Sequence, residues 1–207
     1  MNIKNQKYNL KSGFTLVELL VTISMFVIIT GVILVNSNKF DSTVLLNNFT
    51  YDVALTIKQA QSYGVNVKES SSGSFNTAYG VYFDLAQSKT NFVLFNDVND
   101  NKIYDGLLTA CPTDSVECIQ KYSMTKGTGI KSICAGSDET DCKNNPADQL
   151  SIMFKRPNLS ALIYSKIGGN PLSTEKAYAK IILAAQNGTA TSTVVVTSVG
   201  QIYVKKN

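Results

Sequence analysis

Apolar residues crowd the start of this chain and then settle into a periodic pattern. Phe14 to Val35 reads FTLVELLVTISMFVIITGVILV, with Glu18 as its only charged residue. Wound as a helix, the stretch measures ~33 Å, close to the ~30 Å of a bilayer core. Apolar positions then recur at Phe40, Val44, Leu45, Phe49, Val53, Ile57 and Ala60. Polar Asn47, Asn48, Asp52, Lys58 and Gln59 fill much of the remainder. Steps of three to five residues mark one face of an amphipathic helix. The pattern predicts a single long helix from Phe14 to Tyr63, ended by Gly64. Its membrane-length half covers 14–35 and its amphipathic half 36–64. Two helices parted around Asn36–Asn38 are the alternative.

After Ser70-Ser71-Ser72-Gly73 the pattern becomes that of strands. Ala78–Asp84 and Asn91–Asn96 are rich in aromatic and β-branched residues and flank a short polar turn, which predicts a hairpin. Further strands are expected over Leu150–Lys155, Ala161–Ser165, Ala177–Ala185, Ser192–Ser198 and Gln201–Lys205, the last two closing on Val199-Gly200. The expected fold is α+β: a long helix whose amphipathic half packs on a mostly antiparallel sheet head over 65–207. Residues 106–148 are polar and carry all four cysteines, and read as an insertion in that head.

Charge fixes the orientation. The formal net charge is +4, but Lys4, Lys7 and Lys11 all precede Phe14, leaving +1 on the rest. Lysines at that flank place the N-terminus in the cytoplasm and the head outside it. There disulfides persist. Cys111, Cys118, Cys134 and Cys142 form no C-x-x-C pair, which weakens a zinc or redox-motif reading. Three pairings are open. The local ones, Cys111–Cys118 and Cys134–Cys142, each close a short loop; free thiols in a cytosolic protein are the competing reading. A secretory signal peptide fits poorly, because the apolar run is too long and no alanine occurs before Ala54. A plain membrane anchor accounts for the length but not for Glu18, since a carboxylate within a membrane helix is costly and needs a partner.

Lys11-Ser12-Gly13-Phe14-Thr15-Leu16-Val17-Glu18-Leu19-Leu20, after a short basic leader, resembles the processing site of type IV prepilins and type II secretion pseudopilins. The resemblance covers residues 1–64. It implies a type IV pilin-like fold and a leader, residues 1–13, cut off between Gly13 and Phe14 by a membrane prepilin peptidase. It also implies N-methylation of Phe14 and pairing of Glu18 with the Phe14 ammonium of a neighbouring subunit. The implied partners are other pilin or pseudopilin subunits and an inner-membrane assembly platform. The precursor would sit in the cytoplasmic membrane, and the product would be a surface or periplasmic filament. Opposite charges in an apolar filament core attract strongly, and each is costly alone, so such pairing favours correct register. This chain departs from many major pilins in having no Pro before Pro112, which leaves Gly31 as the intrinsic weak point of the helix. The order of helix, aromatic hairpin, Ile152–Pro157 (IMFKRP) and the terminal VVVTSVGQIYV is similar to the minor pseudopilin H and FimT-like group.

Asp97-Val-Asn99-Asp-Asn101-Lys-Ile103-Tyr-Asp105 places oxygen side chains at alternate positions, as in the first nine positions of an EF-hand-type loop. Asp97, Asn99 and Asn101 would bind Ca²⁺ by side chain, Ile103 by its carbonyl, and Asp105 directly or through water. Lys102 stands where Gly is expected and Leu108 where a bidentate Glu belongs, so an Asn/Asp-rich turn is the alternative. No other cofactor is implied.

Composition narrows the function. The absence of His removes the usual acid–base residue near neutral pH and the triads built on it, and an enzyme is not expected. Nucleic-acid binding requires clustered positive charge. The candidates are Lys155-Arg156 and Lys205-Lys206, and Arg156 is the sole arginine. The expected function is a structural filament subunit. A DNA-binding minor pilin and a filament-tip adhesin, with the cysteine segment as its contact surface, remain the alternatives.

Overall fold

The computed structural model describes residues 13–66, 73, 76–113, 115–186, 188 and 190–206. The expected leader, Gly13 excepted, and Ser70–Ser72 lie outside them. Helix α1 takes in Leu16–Val65, and Asn36–Asn38 are helical within it. The chain divides into two compact units between Asp41 and Ser42, so the second includes the C-terminal part of α1.

In the first unit, Leu16–Leu34 is long and apolar enough to cross a membrane, with mean hydropathy 2.5 and none of its surface buried. Its hydroxyls turn back onto the helix. Thr22 donates to the Leu19 carbonyl at 2.9 Å, Ser24 to Val21 at 2.8 Å and Thr30 to Phe26 at 2.7 Å. Such back-bonding leaves these groups satisfied in a medium without water.

Among its described residues the second unit contains ten strands and a short helix. They are β1 (Ala78–Asp84), β2 (Asn91–Asp97), β3 (Cys118–Ser123), β4 (Gly129–Gly136), α2 (Glu139–Asn144), β5 (Pro146–Ala147), β6 (Gln149–Phe154), β7 (Ala161–Lys166), β8 (Tyr178–Ala184), β9 (Thr191–Thr197) and β10 (Ile202–Lys206). They form two five-stranded sheets, in the orders β3-β2-β1-β6-β7 and β10-β9-β8-β4-β5. All the paired strands are antiparallel.

The main core is shared by α1 and both sheets. Leu46, Val53, Ile57 and Ala60 come from α1; Val81, Phe83, Leu94 and Ile152 from the first sheet; Ile133, Ile181, Val194 and Val196 from the second. These α1 residues are three or four apart or multiples of a turn apart, which puts them on one face. Alternation gives β1 a second buried face. Tyr82 points away from Phe83 into a cluster with Val93 and Phe95 of β2 and with Tyr104 and Leu108 of the segment that follows it. The second sheet has its own outer cluster of Cys134, Cys142, Tyr178 and Val195, closed by α2.

Two glycines act differently in this fold. Gly64 lies inside α1 rather than ending it, and a Cβ there would run into the Phe154 carbonyl. Its role is close approach of helix and strand. Gly200 has φ +86° in the β9–β10 turn, the left-handed conformation that glycine adopts without strain.

The segment 106–148, read from sequence as an insertion, contains two full strands. β3 is an edge strand of the first sheet. β4 lies between β8 and β5 in the second. Cys111 is bonded to Cys118 and Cys134 to Cys142. The first bridge closes the loop leading into β3, and the second fastens α2 to β4.

Candidate functional site

The N-terminal site begins with exposed chain. Gly13, Phe14 and Thr15 precede the helix, and Phe14 is 87 % exposed. A Cβ on Gly13 would meet nothing within 4 Å. The Gly13–Phe14 peptide bond therefore lies outside the helical ladder and is open to approach.

Thr15 and Glu18 close on each other. The Glu18 N–H donates to Thr15 Oγ1 at 3.2 Å. In return the Thr15 N–H and hydroxyl donate to Glu18 Oε2 at 3.2 and 3.1 Å. This is a capping box, which satisfies helix-end N–H groups reciprocally. Negative charge in a first helical turn is also favoured by the helix dipole. The sequence reading singled out Glu18 but missed Thr15. The signal was present as T-x-x-E directly before an apolar run.

In the head, the side chains expected to bind Ca²⁺ meet in one loop. Asp97 accepts the N–H groups of Asn101 and Lys102, both at 3.0 Å. Asn99 and Asn101 donate side-chain amides to Asp105 Oδ2 at 2.6 and 2.8 Å. Asp100 and Lys102 have φ of 62° and 72°, the left-handed region, and their side chains form an ion pair at 2.6 Å. Lys102 thus adopts the backbone conformation for which glycine was expected. Leu108 is fully buried among apolar neighbours and is no ligand. Glu117 lies near the loop. It is buried beside the loop and accepts the Val98 and Asp105 N–H groups, each at 3.0 Å. No spacing rule marked it, because the Cys111–Cys118 loop returns it from outside the motif.

Burial pushes the Asp97 and Glu117 carboxyls above their ordinary range, against the N–H bonds that favour ionisation; Asp105 and Asp97 add to the rise at Glu117. Asp100 is held below its usual value by the Lys102 ammonium. Among the described residues, no three His, Cys, Asp or Glu side chains are placed to hold a metal by themselves. Asn and carbonyl oxygens must complete any cage, as the loop Asp97–Asp105 allows. The donor set, all oxygen and rich in carboxylate, fits a hard cation.

Residues 8–34 match the family model of the prokaryotic N-terminal methylation motif. Neither the curated proteins nor the solved structures contain a match to the chain. The N-terminal segment thus carries the signature of type IV prepilins and pseudopilins. With it stand an apolar N-terminal helix and an antiparallel β head, an α+β arrangement consistent with the type IV pilin-like fold. The motif indicates a processed, membrane-anchored precursor of a pilin-like structural subunit, and it implies a peptidase and fellow subunits as partners.

Proposed function

We propose that this chain is a structural subunit of a type IV pilus or a type II secretion-like pseudopilus. A prepilin peptidase cuts between Gly13 and Phe14, Phe14 is N-methylated, and an inner-membrane platform feeds the subunit into a filament through α1. The observation that carries this reading is a carboxylate, Glu18, set in the first turn of the apolar segment Leu16–Leu34, none of which is buried. Thr15 shields one oxygen of that carboxylate with two hydrogen bonds. The ammonium of a neighbour's Phe14, created by the cut, supplies the opposite charge that Leu16–Leu34 lacks.

Co-expression with a prepilin peptidase tests both steps. The native chain loses the mass of Met1–Gly13 and enters sheared filaments. Glu18→Ala is cut but leaves the filament fraction by at least about tenfold. Thr15→Ala is cut and assembles less well than Thr15→Ser, because only Ser keeps the capping hydroxyl. An uncut native chain overturns the processing step; normal filaments from Glu18→Ala overturn the pairing.

We further propose that one Ca²⁺ binds Asp97, Asn99, Asn101, the Ile103 carbonyl and Asp105. The meeting of the Asp97, Asn99, Asn101 and Asp105 side chains in one loop supports it. Calcium should raise the melting temperature of the native chain and leave that of Asp97→Ala unchanged. Equal melting in calcium and in chelator removes the proposal. The likeness of the head to the minor pseudopilin H and FimT-like group is also kept as a proposal; its segments fall on β1, β2, β6 and the β9–β10 hairpin.

A further inference from the structure

A cleft of about 330 Å³ opens between the α2 end of the second sheet and the chain that follows β7. It is independent of the N-terminal site and of the calcium loop. One wall is Ala135 on β4 with Asp141 and Asn145 of α2 and its C-cap; the other is Ser165 on β7 with Ser173 and Lys176. Ile167, Asn170 and Pro171 form the lip.

Both walls are fixed before any ligand arrives. The Cys134–Cys142 bridge fastens α2 to β4. Asp141 accepts the Ser137 N–H and hydroxyl at 2.8 and 3.2 Å, and the Asn145 amide at 2.7 Å. Opposite, Ser173 accepts the Ser165 N–H at 2.9 Å, and the Lys176 N–H donates to the Ile163 carbonyl at 2.8 Å. Groups held in place lose little freedom on binding, so weak polar contacts suffice to select a ligand.

The lining decides what kind of ligand fits. The Ser137 N–H foremost, and the Lys176 charge after it, hold the Asp141 carboxyl below its usual range, so it is ionised. Its oxygens already take three donors, and Lys176 balances its charge. The cleft therefore offers no net charge to an ammonium or a carboxylate. It offers serine hydroxyls, the Asn170 amide and an ammonium beside the apolar surfaces of Ala135, Ile167 and Pro171. Such a mixture suits a neutral molecule whose groups both donate and accept and whose ring carries C–H faces. The volume is near the lower end of small-molecule sites, ~300–1,000 Å³, so one ring fits and a chain of rings does not.

We propose that this cleft binds a single neutral saccharide residue, the exposed end of a glycan.

The test uses the full chain in phosphocholine nanodiscs and saturation-transfer NMR with free glucose, galactose, mannose and N-acetylglucosamine, and alanylalanine as a zwitterionic control. Saturation is expected to pass to at least one sugar and not to the dipeptide. Lys176→Met and Asn170→Leu should each weaken that binding at least about tenfold without moving the melting temperature. Transfer to no sugar overturns the proposal. So does sugar binding that both variants leave unchanged, which puts the site elsewhere, and so does preference for the dipeptide, which gives the cleft to a zwitterion.

Discussion

Glu18 and Glu117 are both glutamates with two hydrogen-bond partners close by, yet one was legible in the sequence and the other was not. Glu18 stands out because it is the sole charged residue between Phe14 and Val35. Its partner Thr15 is three residues away, so local spacing contains the whole capping box. Glu117 is one acid in a polar stretch, and its bonds to Val98 and Asp105 span 19 and 12 residues. Only the returning chain makes it a buried group. Its titration follows from that burial. A carboxyl whose folded pKa lies above its unfolded one gives its full stabilisation below the unfolded pKa, and loses it as pH rises through the folded pKa. Asp97 behaves in the same sense, whereas Asp100, paired with Lys102, acts oppositely but on an exposed surface where the effect is small. In the absence of calcium, the denaturation midpoint of the native chain should fall as pH rises from about 4 into the raised range. Glu117→Gln lacks the titrating group, so its deficit against the native chain should narrow over the same window. A deficit constant with pH means that Glu117 is not the group responsible.

At the scale of elements, periodicity located the strands that bury one or both faces. β1 is buried along its length and β2 nearly so, and both were legible from aromatic and β-branched residues. β3 reads CIQKYS, with no fully buried residue, as befits an edge strand. β4 reads GIKSICAG, and its Gly, Ser and Lys hide a strand that pairs on both sides. The cysteines drew the reading toward a loop, although their bridges serve to tie a strand to its neighbours. Gly64 lies one residue from the observed end of α1, and packing gives it a second role. Glycine near the end of a periodic run normally marks a helix stop, and here close packing against Phe154 requires it as well. Gly64→Ala adds one methyl where the Phe154 backbone already stands, and backbone moves less readily than a side chain. The expected cost is about 1–3 kcal/mol, despite the better helix propensity of alanine. Chemical denaturation of the purified chain measures it, and a stabilised variant shows that helix and strand separate freely there.

For the molecule as a whole, the sequence pattern divides the chain at the end of the helix, and the packing divides it earlier. The long apolar run and the later strands were legible because each has its own period. What the sequence left open was where the head begins, since an amphipathic helix shows that it has a partner and not which one. The core answers this: Leu46, Val53, Ile57 and Ala60 of α1 are buried with residues of both sheets, and the compact unit starts at Ser42. Burying a Leu, Val or Ile side chain is worth ~1.5–3 kcal/mol. Three such residues together approach the ~5–15 kcal/mol by which a typical domain is stable. A chain starting at Ser42 should therefore be soluble and unfold cooperatively, with a midpoint close to that of the full protein in nanodiscs. One starting at Val65 exposes the sheet faces that α1 covers, and should bind hydrophobic dye and show no cooperative transition. If the shorter chain unfolds as sharply as the longer, the helix is an attachment to a head already complete, and the core described here is not one core. If both fail, folding of the head requires the apolar segment as well, and the processed subunit is a single cooperative body.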